Sequence, residues 1–308
     1  MKVLLTGITG FVGQNLLPMI CKEVPDAEIM TLNIPGDLDK AKKMYPYNNC
    51  RHILSTDMDA VKIFNPEIVI HLATVTTPRN DAEIIKPMLT ANIEFGVLLL
   101  DALKDCNALK LFVNTGSFAE YRYGPSQIND AYLYTATKSA FRHFVNYYSQ
   151  LCGFKYITVV PYTIYGGKPT VKRLMDYIIE SIDSKESVKM TKGEQILDFT
   201  HVSDLADFYT HILKHKELFY GLNNGEEFHI GTGKGTTIRE LASIIETVYK
   251  KKCNILWGGL QYRERDTMHA VAPISKNISL VNWRAKIGIE EGIKMIKEHR
   301  LSSLYMVD

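Results

Sequence analysis

Five short apolar runs that alternate with longer helical patterns most constrain how this 308-residue chain can fold. The runs are rich in Val, Ile and Leu and lack period-two alternation, which is typical of strands covered on both faces. Helical patterns span 11–22, 84–105 (broken early by Pro87) and 131–151. This alternation predicts right-handed crossovers and a doubly wound parallel α/β sheet. The five runs are KVLLT (2–6), EIMTLNI (28–34), EIVIHLA (67–73), LKLFVNTG (109–116) and YITVVPY (156–162).

The turn after the first run is rich in glycine. KVLLT leads directly into TGITGFVG, which carries Gly7, Gly10 and Gly13 around the start of a helix near Phe11. Glycines at such a turn let the backbone approach a diphosphate, which then lies at the positive end of the helix. The first interval is one residue longer than in the usual dinucleotide fingerprint, and a tight turn alone would also need glycines. In the first connection of a parallel sheet, three glycines favour a bound dinucleotide.

The residue that ends the second run bears on which dinucleotide binds. An acidic side chain there usually binds the ribose hydroxyls, but TLNIPGD places Asn33 in that position. A neutral residue does not repel a 2′-phosphate. Lys40, Lys42 and Lys43 follow, although they equally fit a solvated helix face. NADP(H) and NAD(H) therefore both remain open, with a slight preference for a dissociable NADPH.

Composition excludes several classes of protein. With 46% apolar residues, 23% charged residues and a formal charge of +2, the chain has a globular profile and too little charge to predict a nucleic-acid or membrane partner. No apolar run reaches the length of about 18 residues that a membrane span needs. The five cysteines are scattered, and no group of Cys, His, Asp or Glu has metal-ligand spacing. We therefore expect a cytoplasmic protein without a metal site.

A tyrosine–lysine pair opens the third helical pattern. In AYLYTATKSAF (131–141), Tyr134 and Lys138 are four residues apart and share one helix face. Such pairs are common, so the spacing alone does not separate a surface pair from a phenol made acidic by an ammonium. Ser117 directly follows the run LKLFVNTG.

Together, the glycine turn, Ser117 and the Tyr134–Lys138 pair resemble the extended short-chain dehydrogenases/reductases, which include nucleotide-sugar epimerases, dehydratases and reductases. The resemblance implies a Rossmann-type fold, a nucleotide-sugar substrate and a homodimer formed through the helices near 84–105 and 131–151. It covers essentially the whole chain. Its further segments are HLA (71–73), ANIEFGVLLL (91–100), DFTHVSDLA (198–206) and FHIGTGKGTTIREL (228–241).

The rhythm of the chain changes after Pro161, where Gly and Pro cluster in PYTIYGGKPT and later segments become shorter. We therefore expect two domains. Residues 1–165, with a return of about 196–218, form the dinucleotide-binding Rossmann domain. Residues 166–195 and 219–308 form a smaller substrate-binding lobe.

By this resemblance, Tyr134 is the catalytic acid/base, Lys138 is its partner, and Ser117 hydrogen-bonds the reacting oxygen. A free tyrosine has a pKa of about 10. A nearby ammonium and an oxidised nicotinamide favour phenolate, so we expect a lowered pKa for Tyr134. Cofactor contacts are implied for Gly7, Thr9, Gly10, Phe11, Val12, Gly13, Asn33, Asp57, Met58, Leu72, Ala73, Thr74, Asn92, Tyr134, Lys138, Pro161 and Thr163. Substrate contacts are implied for Thr76, Ser117, Phe118, Tyr162, Arg263 and Arg265.

One departure from the family pattern narrows the choice of reaction. Sugar dehydratases of this type place Asp-Glu directly after the catalytic Thr, whereas Phe118 and Ala119 occupy those places here. Glu120 comes one residue too late. Because elimination of water needs that extra acid and base, a dehydratase is not expected.

The substrate side departs from the pattern as well. Pro161 and Thr163 stand where relatives have Arg and Asn, and Leu197 stands where they often have Arg. Contacts transferred to those positions stay open between binding and packing. LQYRERDTM resembles a late R-x-x-D segment, which makes Arg263 the leading candidate to bind a substrate diphosphate, with Arg265 as the alternate.

These features predict an enzyme that acts at carbon 4 of a nucleotide-linked hexose. NTGSF, LYTATKSAF and YRERDTM look most like the CDP-abequose or CDP-paratose type of 4-ketoreductase. This implies NAD(P)H-dependent reduction in the biosynthesis of O-antigen deoxyhexoses. A 4-epimerase with tightly bound NAD is the alternative. A non-enzymatic regulator on the same fold would lack one of Ser117, Tyr134 and Lys138, and all three are present.

Overall fold

The computed structural model describes residues 1–167 and 171–304. In chain order, the strands are β1 Lys2–Thr6, β2 Glu28–Asn33, β3 Cys50–Leu54, β4 Ile68–His71, β5 Leu111–Thr115, β6 Lys155–Pro161, β7 Thr163–Tyr165, β8 Val188–Met190, β9 Ile196–Leu197, β10 Phe199–His201, β11 Glu226–Ile230, β12 Thr236–Thr237, β13 Ile255–Trp257 and β14 His269–Ala270. The helices are α1 Gly13–Glu23, α2 Pro35–Met44, α3 Met58–Phe64, α4 Ala82–Leu89, α5 Phe95–Leu103, α6 Leu133–Cys152, α7 Leu174–Ser181, α8 Val202–Lys214, α9 Lys216–Tyr220, α10 Ile238–Tyr249, α11 Ser275–Val281 and α12 Ile289–Leu304. A π turn spans Thr90–Glu94, and a 3-10 turn spans Phe118–Glu120.

A seven-stranded sheet forms the centre of the molecule. Its strands lie in the order β11-β6-β5-β4-β1-β2-β3, and every neighbouring pair is parallel. The side chains of β1, β4 and β5 are almost all buried because helices cover both faces. The prediction of a doubly wound parallel α/β fold is confirmed, and all five predicted strands lie in this sheet.

The two outermost strands are the ones that the sequence patterns did not reveal. β3 (CRHIL) fully buries only Ile53, and β11 (EEFHI) begins with two glutamates. Each pairs with a single neighbour in the sheet, so polar side chains are tolerated and no apolar run results. β11 falls within 219–308, the range expected in the smaller lobe, but it completes the main sheet. The two-domain division itself stays a prediction, and its ranges include residues 168–170 and 305–308, which lie outside the described residues.

Three apolar clusters make up the core. On one face of the sheet, α1 and α8 contribute residues such as Leu16 and Phe208. On the other face, α3, α5 and α6 contribute residues such as Leu100 and Phe141. The third cluster lies in the C-terminal part of the chain and includes residues of α7, α10 and α12. The first two clusters hold the sheet rigidly between helices, which fixes the loops at its edges.

The helix predicted over 84–105 is observed as α4, the π turn and α5, with Pro87 inside α4. The π turn carries Asn92, which is buried. Its Oδ1 accepts the N–H of Val75 at 2.7 Å and the hydroxyl of Thr74 at 3.0 Å. Its Nδ2 donates to the carbonyl of Val75 at 3.1 Å and to Oγ1 of Thr137 at 2.9 Å. Asn92 therefore ties the segment after β4 to α6 while leaving no part of its amide unsatisfied.

Candidate active site

The predicted site residues meet at one edge of the sheet. Because the strands are parallel, their carboxyl ends all face that edge. The glycine turn follows β1, residues 72–76 follow β4, and Ser117 follows β5. Tyr134 and Lys138 lie in the first turns of α6. Side chains from four separate connections are thus available to one ligand.

The glycine turn fits the diphosphate of a dinucleotide. Gly7 has a φ of +71°, and a Cβ there would lie 2.7 Å from the backbone nitrogen of Ala73. A Cβ on Gly13 would lie 2.3 Å from the carbonyl oxygen of Gly7. The N-terminus of α1 has no side-chain cap and no acidic residue in its first turn. Its positive end is therefore left for an anion, as the sequence predicts.

The middle of the glycine turn is held from two sides. Thr9 donates a 2.6 Å hydrogen bond to the carboxylate of Asp37, at the start of α2. Phe11 is buried, and the guanidinium of Arg173 lies 4.2 Å from the centre of its ring. Val12 precedes α1 directly and is partly buried. These contacts hold two of the predicted cofactor residues, Thr9 and Phe11, in place within the glycine turn, directly before Val12.

The ends of β2 and β3 hold three further predicted cofactor contacts. Asn33 is the last residue of β2 and is buried. Asp57 caps α3, accepting the N–H of Ala60 at 3.1 Å, and Met58 is the first residue of that helix. All three therefore lie on the same edge as the glycine turn.

The side chains of Thr6 and Asn92 hold the segment after β4 by accepting hydrogen bonds from its backbone. The N–H groups of Leu72 and Ala73 donate to Oγ1 of Thr6 at 3.1 and 3.0 Å. Thr74 donates to Asn92. Because the amide of Asn92 is already satisfied, a direct contact of this residue with a cofactor would have to replace one of its hydrogen bonds. Asn92 therefore lies behind Thr74 and holds it in position by a hydrogen bond.

The last predicted cofactor contacts lie at the end of β6. Pro161 ends that strand, and Thr163 begins β7, donating its N–H to the carbonyl of Asp198 at 3.0 Å. The hydroxyl oxygen of Thr163 is buried without a hydrogen-bond partner among the described residues.

Tyr134 is partly buried at the start of α6 and hydrogen-bonds the side chains of Ser117 and Thr76. Burial and the negative charge of Glu120 raise the pKa of Tyr134 to about 12, against the lowering effect of those two hydrogen bonds. The expectation of a lowered pKa is therefore wrong for the protein by itself. The sequence could not reveal Glu120 as a buried neighbour of the phenol.

Lys138 is buried one turn further along α6. Burial lowers the pKa of its ammonium to about 8, and Glu120 opposes that lowering. A group with this pKa is mostly protonated at pH 7 and loses its charge as the pH rises past 8. Ser117, Tyr134 and Lys138 thus form one group at the edge of the sheet, with a neutral phenol and a charged amine.

The predicted substrate residues form two groups. The rings of Phe118 and Tyr162 stack with centroids 5.7 Å apart, and the hydroxyl of Tyr162 lies 3.3 Å from Nδ1 of His229. Thr76 is exposed beside Tyr134. Phe118 and Tyr162 give the site next to Ser117 an apolar wall.

Arg263 and Arg265 differ in how closely other residues of the chain pair with their guanidinium groups. Arg265 donates to the carbonyl of Asp130 at 2.7 Å and to Oδ1 of Asn129 at 3.2 Å. Arg263 is 62% exposed; its guanidinium lies 3.8 Å from Asp266, and its side chain also hydrogen-bonds Tyr132. Asp266 accepts the hydroxyl of Tyr132, next to the start of α6. Arg263 is therefore the freer of the two guanidiniums, in agreement with its rank as the leading phosphate candidate.

Sequence reasoning missed three residues of this region. Asp37 gave no signal because it lies four residues beyond the expected ribose contact. Arg173 gave none because its segment resembles no motif. Glu120 was noted only as misplaced for dehydration. It became informative when the structure placed its carboxylate against the backbone of Ser117 at 2.6 Å.

Two classes of site find no support in the part of the chain that the structure describes. No group of three or more His, Cys, Asp or Glu residues there could hold a metal ion. No helix in residues 1–167 and 171–304 is both long and apolar enough to cross a membrane.

The doubly wound sheet, its glycine turn and the uncapped helix beyond it define a dinucleotide-dependent enzyme. Residues 3–231 match the NAD dependent epimerase/dehydratase family, and the chain belongs to that family. It is therefore an enzyme that uses an NAD(P) cofactor, as the sequence predicts.

Individual relatives are similar along nearly the whole chain. CDP-abequose synthase from Yersinia pseudotuberculosis is 25% identical, covering 87% of this chain and 91% of its own. UDP-glucuronate 4-epimerase from Thermodesulfobacterium geofontis is 28% identical, covering 94% and 93%. The crystal structure of UDP-glucuronic acid 4-epimerase from Bacillus cereus, in complex with UDP-glucuronic acid and NAD, superposes with a TM-score of 0.86 at 20% identity. It covers 99% of this chain and 100% of that one, which confirms the fold.

We expect Gly13→Ala to weaken dinucleotide binding at least about tenfold, because its Cβ would collide with the backbone of the turn. Titration of the purified protein with NADH, followed by the fluorescence of the cofactor, measures the change. Gly288→Ala is the matched control, since a Cβ there meets nothing within 4 Å. Equal affinity of the Gly13 variant and the parent would exclude this turn as the diphosphate site.

Proposed function

We propose that this enzyme is a NAD(H)-dependent 4-ketoreductase of a nucleotide-linked deoxyhexose, with Tyr134 as the proton donor. The observation that carries the proposal is the grouping of Ser117, Tyr134 and Lys138 at one edge of the sheet, in a chain similar to CDP-abequose synthase. Without cofactor, burial raises the pKa of Tyr134 to about 12, so its phenol carries the proton at pH 7. A reduction must begin with the proton on the tyrosine, because that proton becomes the hydrogen of the new hydroxyl. Oxidation of a sugar hydroxyl would instead begin from the phenolate.

The bound dinucleotide would supply the hydride that carbon 4 receives. The hydroxyl of Ser117 donates a hydrogen bond to the carbonyl oxygen at carbon 4 and polarises it. Tyr134 donates its proton to the same oxygen as negative charge develops there. The guanidinium of Arg173, which lowers the pKa of Tyr134, and the ammonium of Lys138, one turn further along α6, would stabilise the phenolate that remains. The exposed hydroxyl of Thr76, which hydrogen-bonds Tyr134, connects the phenolate with water for reprotonation.

The substrate class rests on the relatives and on the free charge of Arg263. Two further CDP-abequose synthases, from Salmonella typhimurium and Salmonella muenchen, are each 26% identical over 95% of this chain. We therefore propose a CDP-linked 4-keto sugar from the biosynthesis of O-antigen deoxyhexoses. Arg263, mostly exposed and only loosely paired, would bind its diphosphate. The apolar wall of Phe118 and Tyr162 suits a sugar that lacks one or more hydroxyls.

A 4-epimerase is the second candidate. The Thermodesulfobacterium relative and the Bacillus cereus structure both carry that name. An epimerase would keep its NAD bound, oxidise carbon 4 and reduce the other face of the same sugar. The two reactions therefore differ in whether cofactor is consumed.

The first test is turnover of a CDP-linked 4-keto-deoxyhexose with NADH, followed by the loss of absorbance at 340 nm. We expect one NADH oxidised per sugar reduced. Tyr134→Phe should slow this reaction by about 10²–10⁴-fold, because it removes the general acid. Its affinity for NADH should stay near that of the parent.

Two results would contradict this assignment. A parent rate in the Tyr134→Phe variant would exclude the proposed mechanism. Interconversion of two nucleotide-linked 4-hydroxy sugars without net change in NADH, by protein that retains stoichiometric NAD after purification, would establish the epimerase instead.

The choice of NAD(H) over NADP(H) rests on how the amide of Asn33 is oriented. Nε2 of His52 lies 2.9 Å from the carbonyl of Tyr45, so this nitrogen carries the proton. Nδ1 of His52 then accepts a hydrogen bond from the hydroxyl of Thr31, 2.7 Å away. The Thr31 oxygen is left as an acceptor for the NH2 group of Asn33 at 2.9 Å. Carbonyls of Thr31 and Ile53 accept from the same NH2 at 3.1 and 3.3 Å.

With its nitrogen turned inward, Asn33 presents a carbonyl oxygen to the cofactor side of β2. That oxygen accepts a hydrogen bond from a ribose hydroxyl but offers nothing to a phosphate. The carboxylate of Asp37, held by Thr9, adds a negative charge close by. Lys40, Lys42 and Lys43 are exposed on α2. The balance favours NAD(H) and reverses the slight preference for NADPH that the neutral residue suggested.

We expect NADH to bind at least about tenfold more tightly than NADPH, because the carbonyl oxygen of Asn33 and the carboxylate of Asp37 disfavour a 2′-phosphate. Calorimetric titration with each cofactor measures the ratio. Asp37→Ser should lower the ratio of NADH to NADPH affinity. Asp39→Ser, which changes an exposed residue on the same helix, should leave this ratio unchanged. Tighter binding of NADPH by the parent would refute the proposed orientation of Asn33.

We also propose a cytoplasmic homodimer. All five cysteines are free, which suits a reducing compartment. Large apolar side chains are exposed on α4, α5 and α6, the helices expected at the subunit interface. They are Ile85, Leu89, Leu98, Phe144, Tyr147 and Leu151, each 38–60% exposed.

Sedimentation at micromolar concentration should give a dimer for the parent. Leu98→Glu combined with Phe144→Glu should give a monomer, because the charges would be buried in the interface. Leu218→Glu, on α9, is the control, as Leu218 is also exposed (43%) but lies outside these helices. A parent protein that sediments only as a monomer would exclude the dimer.

A further inference from the structure

Glu120 lies completely buried behind the proposed catalytic groups. It ends the 3-10 turn that begins after Ser117, and its side chain is 0% exposed. Oε1 of its carboxylate accepts the backbone N–H of Ser117 at 2.6 Å. Oε2 accepts Nε of Arg142 at 2.7 Å and the hydroxyl of Ser139 at 3.2 Å. This carboxylate therefore joins the backbone of the serine to helix α6.

The two hydrogen-bond partners of Glu120 on α6 both follow Lys138 along the chain. Ser139 is the next residue, and Arg142 is one helical turn further on. Tyr134 lies one turn before Lys138. The charge of Glu120 raises the pKa of Tyr134 and also raises that of Lys138 against the effect of burial. One carboxylate thus acts on all three proposed catalytic residues: on the backbone of Ser117, and on the charge states of the other two.

The other charges around Glu120 come from three elements. On α6, Arg142 also binds Glu227 of β11. Glu227 in turn accepts the hydroxyl of Tyr121 at 2.5 Å and lies 3.5 Å from Nε2 of His229. In the loop before α6, Asp130 lies 2.8 Å from the hydroxyl of Ser139 and shares its single proton with Glu120.

Burial raises the pKa of Glu120, whereas Arg142, the N–H of Ser117 and the charge of Lys138 lower it. A buried carboxylate is costly unless it is paired and hydrogen-bonded. Here the guanidinium and the N–H of Ser117 offset part of that cost, and the pKa of Glu120 stays raised.

We propose that Glu120 is a positioning residue of this enzyme: its buried carboxylate fixes the turn of Ser117 against α6 and supplies a negative charge behind the catalytic face of that helix. The proposal rests on the proposed reduction, because only a reduction starts from a protonated tyrosine. A packing role alone would need the shape of this side chain but not its charge. Glutamine has the same shape and retains an acceptor for Ser117, so it separates the two roles.

The decisive measurement is the titration of Lys138 in the complete chain. Trace acetylation with acetic anhydride at a series of pH values, read by peptide mass spectrometry, gives the pH midpoint of this lysine without any substrate. In Glu120→Gln we expect the midpoint to fall by about one pH unit relative to the parent, because a neighbouring negative charge is lost. Lys138 would then be largely neutral at pH 7.5.

Glu227→Gln is the matched control. It removes the other carboxylate that binds Arg142, but Glu227 has no hydrogen bond to Ser117 and does not shift the pKa of Lys138. Its Lys138 midpoint should stay within about 0.3 pH unit of the parent. Thermal unfolding of both variants reports the purely structural cost, which we expect to be similar.

Turnover gives an independent readout. The alkaline limb of the pH–kcat profile should move to lower pH in Glu120→Gln, since loss of the carboxylate makes Tyr134 more acidic. The KM for the sugar should change less than twofold. An unchanged Lys138 midpoint in a folded Glu120→Gln variant would overturn the proposal, whatever the enzyme reduces. An inactive parent with a shifted midpoint would instead count against the proposed reaction alone.

If the Glu120→Gln variant does not fold, Glu120→Gln can be combined with Arg142→Gln. This double variant removes both charges together and leaves no unpaired guanidinium beside position 120. The Lys138 midpoint should still fall, because the effect of Glu120 on this lysine exceeds that of Arg142. A midpoint at or above that of the parent would overturn the proposal in this background.

Discussion

The hydroxyl of Thr6 holds together the two connections on which the rest of the site depends. It accepts the N–H groups of Leu72 and Ala73 and lies 3.0 Å from Nδ1 of His71. The glycine turn begins at the next residue, so the end of β4 passes directly against Gly7. Any side chain at Gly7 would meet this backbone. The contact that closes the core therefore also shapes the turn at which we propose that the dinucleotide binds.

His71 shows why this junction is stable. Burial lowers its pKa to about 3, so the ring stays neutral across the physiological range. Its ring packs against Phe95, Phe112 and Phe141 at 5.2–5.9 Å between centroids. A charged imidazole here would cost far more than a neutral one. The hydrogen bond with Thr6 satisfies its polar edge without exposing the core to water.

Charge is distributed differently on the two sides of α6. Lys138 and Tyr134 face the proposed reaction, whereas Glu120 and Arg142 are paired behind them. A buried ion pair contributes little net stability, because desolvation offsets most of its attraction. Its value in this fold is electrostatic, since fixed charges in a low-dielectric interior act more strongly on their neighbours than charges in water do.

The sequence predicted the features that repeat or that need special backbone geometry. Apolar runs identified the five inner strands, and glycines identified the turn, because both effects act over a few neighbouring residues. The edge strands β3 and β11 were not predicted, because a strand with one neighbour in the sheet needs no apolar run. Spacing also brought together Ser117, Tyr134 and Lys138 through resemblance to a family.

What sequence could not supply was the electrostatic environment. The pKa of Tyr134 depends on Glu120, and the orientation of Asn33 depends on Thr31, His52 and Tyr45, which lie on three separate elements. Such chains of contacts have no signature in spacing. They follow only from the packing of the folded chain.

The π turn between α4 and α5 determines the rotation of α5 about its axis relative to α4. A π turn holds one residue more than an α-helical turn, and one residue corresponds to about 100° around the axis. Removing a residue from Thr90–Glu94 would therefore rotate α5 by about that angle relative to α4. Gly96, whose absent Cβ leaves room for the ring of Phe141 on α6, would turn away, and a bulkier residue would take its place. The extra residue thus determines which face of α5 meets α6.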